Sequence, residues 1–258
     1  MDFFAICNII FKKIIEEIHP ILGTDDAAKV IGMGADSTPT KYIDKVAEDI
    51  AINIISEERL CRQIISEEAG IVSALGDNGT IFLDPIDGTY NAIMNIPFFA
   101  VSIAYGENGI IKKGFVGNLA NGDIFLSERG KGAFLNGKQI HTSCVSALNE
   151  CCMSIYGKHN QYDRVINLIR KIRRFRQFGA SALEISYVGA GKIDGFIDLR
   201  QNLRATDIAA GILILQEAGG NVSDQNGEPV ILPNEVSINN CLIGTNGILH
   251  RKVIEYLR

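Results

Sequence analysis

A chain of 258 residues is long enough for one large core or two small ones, and its net charge of −5 argues against nucleic acid as the main partner. With 47% hydrophobic and 21% charged residues it has the make-up of a soluble globular protein, without internal repeats or low-complexity segments. Six cysteines (Cys7, Cys61, Cys144, Cys151, Cys152, Cys241) form no C-x-x-C pair, and with only four histidines they exclude a zinc signature. They read as reduced, mostly buried thiols of a cytosolic protein.

No apolar run approaches the roughly 18 residues that span a membrane. Residues Phe3 to Phe11 are largely apolar, but no basic segment precedes them, and Lys12, Lys13, Glu16 and Glu17 follow without a cleavage site. Phe3, Ile6, Ile10, Ile14 and Ile18 step by three and four, which predicts an amphipathic helix belonging to the fold. Pro20 and Gly23 end it, and Gly32 to Lys41 reads as a mobile surface loop. A second helix follows, with Ile43, Val46 or Ala47, Ile50 and Ile54 on its apolar side and Lys45, Glu48 and Asp49 opposite. Asp44 falls at its start, where a carboxylate suits a cap or the helix dipole. Ile64-Ile65 then runs into Ser66-Glu67-Glu68-Ala69-Gly70, whose adjacent acids read by themselves as solvated.

The next stretch organises the chain. Thr80 to Leu83 predicts a short buried strand, which breaks into Asp84-Pro85-Ile86-Asp87-Gly88-Thr89. Pro85 biases Asp84 toward an extended backbone, and Gly88 permits a sharp reversal into a short helix from Thr89 to Met94. An ordinary turn has the same composition. Two carboxylates three residues apart also offer hard ligands for a divalent cation, beside backbone N–H groups able to hold an anion.

Strands are expected at Phe99–Tyr105, Ile110–Leu119, Asp123–Glu128 and Gly132–Leu135, and the Asn-Gly pairs at 108, 121 and 136 mark antiparallel hairpins. Beyond His141 strands and helices alternate. Strands fall at Cys151–Tyr156, Phe175–Phe178, Gly195–Leu199, Asn221–Ser223 and Leu242–Gly244. Helices fall at Tyr162–Ile172, Ser181–Gly189, Thr206–Ala218 and Leu249–Leu257. The pattern predicts an α+β N-terminal half over residues 1–140 and an α/β half over 141–258. Asp207 starts an almost wholly apolar helix, which must be buried, and serves either as a cap or as a further metal ligand.

Taken together, Gly34-Ala35-Asp36-Ser37-Thr38-Pro39-Thr40 with Asp44, Ser66-Glu67-Glu68, Asp84 to Thr89, Thr206 to Gly211 and Gly219-Gly220 resemble the inositol monophosphatase superfamily of magnesium-dependent, lithium-sensitive phosphatases. The archaeal-type branch, acting on fructose 1,6-bisphosphate and inositol monophosphates, is the nearest match. The motifs occur in the family's order over nearly the entire chain. The resemblance implies a layered α-β-α-β-α sugar-phosphatase fold. It also implies two or three Mg²⁺ ions held by Glu67, Asp84, Asp87, Asp207 and the Ile86 carbonyl, with Asp84 bridging. Gly88 and Thr89 would hold phosphate, and Asp44, Thr89 and Glu67 would orient the attacking water. Substrate contacts would come from Asp87, Ser181, Arg200 and Arg204. The loop from Gly32 to Asp44 would complete a third, weaker metal site, with Ser37 standing where the archaeal pattern has glycine.

The implied chemistry needs these residue types. A phosphate monoester repels hydroxide and hydrolyses very slowly unaided. Cations neutralise its oxygens, activate water and stabilise the leaving alkoxide. An all-carboxylate set suits Mg²⁺ or Mn²⁺, and no side chain stands out as a nucleophile, so direct attack by water is expected. Arg200 occupies the place where inositol-specific members have a glutamate, and a cation there fits a second phosphate or lies simply at the surface. The basic run Arg170, Lys171, Arg173, Arg174 and Arg176 reads as a solvated edge, a second-phosphate contact or a nucleic-acid patch. Two other readings keep the fold: a 3′(2′),5′-bisphosphate nucleotidase, and a regulatory protein binding RNA or a transcription complex. The expected setting is cytoplasmic, without a membrane partner, and the family's habit implies a homodimer.

Overall fold

The computed structural model describes residues 2–35, 37–158, 162–232 and 240–257; Asp36 of the expected loop lies outside them. Helix α1 (Phe3–Ile18) forms as its periodicity predicts, burying Phe3, Ile6, Ile10, Ile14 and Ile18 together with Cys7 and Phe11. The stretch read as a loop is instead an antiparallel ribbon of β1 (Val30–Met33) and β2 (Pro39–Lys41). Every side chain of β1 is exposed, so no period-two burial pattern exists to betray it.

Helix α2 (Tyr42–Glu57) buries Ile43, Asp44, Ala47, Glu48, Ala51 and Ile55, whereas Ile50 and Ile54 are only half-buried. Its inward face is thus turned from the expected one, and Glu48 points into the protein. The two acids tolerate burial because partners from other elements hydrogen-bond to them.

Helices α1 and α2 cover one face of an eight-stranded sheet. Its strands are β3 (Gln63–Ser66), β4 (Gly70–Ser73), β5 (Thr80–Asp87), β6 (Ala100–Glu107), β7 (Ile110–Asn118), β8 (Ile124–Glu128), β9 (Ala133–Leu135) and β10 (Lys138–Ile140). They lie in the order β10-β9-β8-β7-β6-β5-β3-β4, antiparallel throughout except between β3 and β5. Residues alternate between the two faces: Ile64, Ile81, Leu83, Val101 and Phe115 pack toward α1 and α2, and Ile65, Phe82, Ala100 and Val116 pack the other way. Strand β5 does not break at Asp84 as expected. It continues to Asp87, absorbing Pro85 in a bulge opposite β6 between Asp84 and Asp87. Gly88 then reverses the chain into the short helix α3 (Thr89–Ile93).

On the second face lie α5 (Ser181–Gly189) and α6 (Ala205–Glu217), introduced after α4 (Tyr162–Ile169). Every residue of α6 from Ala205 to Leu215 is buried, and a Cβ at Gly114 of β7 would come within 3.0 Å of the Ala210 carbonyl. Behind these helices is a second sheet of β11 (Cys152–Tyr156), β12 (Arg174–Arg176), β13 (Gly195–Leu203), β14 (Asn221–Ser223) and β15 (Asn240–Thr245), ordered β12-β11-β13-β15-β14. Phe196 of β13 packs inward with Ile208 and Ile212 of α6. Ile197 packs outward with Leu168 of α4 and Val253 of α7 (His250–Leu257). The result is the expected α-β-α-β-α stack.

Boundaries differ in detail: β13 runs to Leu203 rather than Leu199, α4 ends at Ile169 rather than Ile172, and the three-residue β10 was not anticipated. The large sheet lies within residues 63–140 and the smaller one within 152–245, with α5 and α6 packed against both. All six cysteines are free, four of them buried, and Cys144 is exposed. No helix among the described residues is long and apolar enough to cross a membrane.

Candidate active site

Four elements converge on one cleft. Strand β3 ends at Ser66 and delivers Glu67, β5 ends with Asp84 and Asp87, α2 contributes Asp44 from its first turn, and α6 contributes Asp207 from its own. Carboxylate oxygens of Glu67, Asp84 and Asp207 lie within 4.8 Å of one another. The cleft, of about 310 Å³, is lined by these three with Ile86, Asp87, Gly88 and Thr89 from the β5–α3 turn; Ser181, Arg200 and Arg204 flank them. The residues expected to hold metal, phosphate or substrate at the motifs line this cleft; Asp44 does not line it but bonds to Thr89, which does, and neither the loop before Asp44 nor the basic run from Arg170 to Arg176 lines it.

The carboxylates are held in place by hydrogen bonds. Asp84 Oδ1 accepts from the Ile86 N–H (3.1 Å), and Asp87 Oδ2 accepts from the Leu183 N–H at the start of α5 (3.1 Å). The Thr89 hydroxyl donates to Asp44 Oδ1 (2.9 Å), with the Ile86 carbonyl as a second acceptor at 3.2 Å. Asp207 sits at the start of α6, where its Oδ2 accepts from the Arg204 N–H (2.9 Å), and its carboxylate also belongs to the acidic cluster. The Arg204 guanidinium bridges that cluster, with Nε 2.9 Å from Asp207 Oδ1 and Nη1 paired with Glu67.

One arginine cannot balance this many buried acids. Burial pushes the carboxyls of Glu67, Asp84 and Asp87 well above the usual carboxylate range, and neighbouring acids push further, with Arg204 opposing at Glu67 and Asp84. Burial likewise raises Asp44 to about 7, against the pull of its Thr89 hydrogen bond. Crowded, water-poor carboxylates of this kind are stabilised by hard divalent cations, which prefer oxygen donors. The donor set fits such ions.

Gly88 shapes the adjoining turn. Its backbone is left-handed (φ 91°, ψ 42°), and a Cβ would meet the Ala180 Cβ at 3.0 Å and the Gly179 carbonyl at 3.1 Å. Asn91, one turn into α3, ties the halves together by donating to the carbonyls of Phe98 and Phe178, both at 2.7 Å.

Arg200 reaches the cleft, but its Nε and Nη2 grip the fully buried Asp198 (3.1 and 2.6 Å), and its guanidinium lies 4.3 Å from the Tyr156 ring centre. The basic run forms an exposed edge around β12, and none of its side chains lines the cleft. Charged edge strands resist pairing with other chains. Tyr90, Gly179, Asn202 and Leu203 also line the cleft and were not singled out from sequence. Tyr90 follows Thr89 directly in the motif, and that adjacency was the only signal for it.

Buried acids that want divalent cations, set beside a glycine turn suited to an anion, define a metal-dependent phosphatase. The chain belongs to the inositol monophosphatase family, whose model matches residues 5–258. It is 41% identical over 261 residues to a fructose-1,6-bisphosphatase/inositol-1-monophosphatase of Methanothermobacter thermautotrophicus, covering 95% of this chain and 93% of the relative. It is 38% identical over 279 residues to a bifunctional NADP phosphatase/NAD kinase of Methanococcus maripaludis, covering 98% of this chain but 49% of that protein. Among solved structures, an inositol monophosphatase-fructose 1,6-bisphosphatase superposes with a TM-score of 0.92 at 31% identity, with full coverage of both chains.

Proposed function

We propose that the chain hydrolyses fructose 1,6-bisphosphate and inositol monophosphates with Mg²⁺, two or three ions per site, by direct attack of water. The convergence of Glu67, Asp84 and Asp207 within 4.8 Å carries this reading. The same three residues with Asp87 and the Ile86 carbonyl would hold the ions, Asp84 bridging two. Bound Mg²⁺ supplies charge to the phosphoryl oxygens, lowers the pKa of water and stabilises the leaving alkoxide. The protein does the positioning. Because the Thr89 hydroxyl donates to Asp44, its oxygen lone pairs remain to accept from the attacking water, and Asp44 can take up proton density through Thr89. The backbone of Gly88 and Thr89 holds the phosphate, Asp87, Ser181 and Arg204 border the leaving group, and Arg200 meets a second phosphate. Residues 1–140 and 141–258 act as halves of one catalytic unit, since Asp207 comes from the second. We place the enzyme in the cytoplasm as a homodimer.

Side-by-side kcat/KM for fructose 1,6-bisphosphate and inositol 1-phosphate, before and after exhaustive chelation, tests the proposal. Activity needs Mg²⁺ and falls with Li⁺; full activity after chelation sinks it. A second reading has specific support in the Methanococcus relative named for NADP phosphatase activity, which matches 98% of this chain. On that reading the substrate is a nucleotide carrying a ribose 2′- or 3′-phosphate, and Tyr90, 70% exposed beside the cleft, offers an aromatic face to the base. NAD released from NADP, or AMP from a 3′,5′-bisphosphate, faster than phosphate from fructose 1,6-bisphosphate decides for it.

A further inference from the structure

Glu48 is fully buried on α2, one helical turn beyond Asp44 and on the same side. A wholly buried carboxylate is costly unless it is well hydrogen-bonded. Its Oε1 accepts twice, from the Ser66 hydroxyl at 2.5 Å and from the Ala69 N–H at 2.8 Å. These two donors stand on either side of Glu67 and Glu68, so a single oxygen clasps both ends of the turn that delivers Glu67 to the acidic cluster. From the opposite direction the β1–β2 ribbon holds the same turn: the Thr40 hydroxyl donates to the Glu68 carboxylate, and the Ala35 N–H donates to the Glu68 carbonyl at 3.0 Å. Glu48 Oε2 is buried without a hydrogen-bond partner among the described residues, and Lys45 Nζ stands 3.9 Å from it while bonding Asp49 at 2.6 Å. The second oxygen therefore contributes no hydrogen bond, and the work of Glu48 lies in the clasp.

We propose that Glu48 is a positioning residue: by accepting from Ser66 and Ala69 it fixes the Glu67 carboxylate at the cluster and so sets the affinity of the site for a divalent cation. Helix α2 then serves the site twice, orienting Thr89 through Asp44 and Glu67 through Glu48. This rests on Glu67 being a metal ligand. Outer partners that orient a ligand typically matter 10–100-fold in metal affinity.

The test is direct Mn²⁺ binding to the full chain, read from the electron paramagnetic resonance signal of the free ion. It compares wild type with Glu48→Ala, Glu48→Gln, Ser66→Ala and Glu67→Gln. The amide oxygen of Glu48→Gln keeps the clasp, so this variant stays within about threefold of wild type, while Glu48→Ala binds about tenfold or more weakly. Ser66→Ala, which removes one of the two donors, falls between. In assays the metal concentration for half-maximal rate rises for Glu48→Ala while kcat at saturating metal is largely kept. Equal binding by Glu48→Ala and wild type, or Glu48→Gln as weak as Glu48→Ala, overturns the proposal. Should circular dichroism show Glu48→Ala unfolded, Ser66→Ala decides, and wild-type affinity in it counts against the clasp. The two layers separate cleanly: no Mn²⁺ bound by wild type refutes the metal reading of the cleft. Weakened binding in Glu67→Gln with none in Glu48→Ala refutes only the role of Glu48.

Discussion

Replacing Asp84 by asparagine should move stability and activity in opposite directions. Asp84 is 2% exposed, and its carboxylate shares a 4.8 Å neighbourhood with Glu67 and Asp207. At an effective dielectric constant of about 20, two full charges at that separation repel by about 3.5 kcal/mol. Two such pairs involve Asp84, but Arg204 offsets part of the repulsion and proton uptake removes much of the rest, as the raised pKa implies. A remainder of about 1–2 kcal/mol at pH 8 is within the range of single substitutions. For a domain of this size it corresponds to a rise of about 3–6 °C in the Tm of the chelated protein. At pH 5 the raised Glu67 and Asp84 carboxyls carry more protons than at pH 8, so the gain should shrink. Activity runs the other way, because a preorganised stabiliser of transition-state charge is worth about 10²–10³ in kcat. Thermal melts of chelated protein at both pH values, with kcat on fructose 1,6-bisphosphate, supply the check. A variant melting no higher than wild type at pH 8, or keeping more than about a tenth of kcat, refutes the reasoning.

The chelated wild-type protein should lose stability as pH rises. Carboxyls raised by burial contribute stability that is complete below their unfolded value near 3.8 and is lost through their folded value, about 7 for Asp44. Added Mg²⁺ should therefore raise Tm more at pH 8 than at pH 5, and equal shifts would contradict the linkage. Gly88→Ala should cost about 2–4 kcal/mol in denaturant melts, from left-handed strain plus the 3.0 Å approach to Ala180. Ser37 has φ 68°, so Ser37→Gly relieves about 1 kcal/mol of strain while adding a similar entropic cost, and Tm should stay within about 2 °C. Arg200→Ala alone strands the buried Asp198 and should lower Tm. Combined with Asp198→Asn, it should lose about ten- to a hundredfold in kcat/KM on fructose 1,6-bisphosphate and little on inositol 1-phosphate, the worth of a charge-assisted hydrogen bond; equal losses on both would make Arg200 structural.

Much of the stack was legible because its signals are local. The stepping of Phe3 to Ile18 and the bounds of Ser181–Gly189 match the helices found. Asn108-Gly109 and Asn136-Gly137 have positive φ at both residues, as tight hairpins require. Asp84 and Asp87 beside Gly88 pointed locally to a cation and an anion, but the gathering of Glu67, Asp84 and Asp207 was legible only through the resemblance, since no local signal brings Asp207 to Asp84. What stayed hidden depends on tertiary partners. Glu48 looks like a solvent-facing acid until Ser66 and Ala69 are placed against it. The Asp198–Arg200 pair was readable in principle, because residues two apart on a strand share a face. Ending that strand at Leu199 concealed it.

Helix α6 has a consequence for the order in which the protein can be made. It is buried against both sheets and brings Asp207 to acids presented by strands near residues 67 and 84. A chain leaving the ribosome from its N-terminus completes the eight-stranded sheet early, but that sheet then exposes Ile65, Phe82 and Val116 on an uncovered face. The acidic cluster of Glu67, Asp84 and Asp207 cannot close until residue 207 has emerged and α6 has settled on that face. A nascent or truncated chain ending before α6 therefore has neither the fourth wall of the cleft nor a cover for its largest sheet.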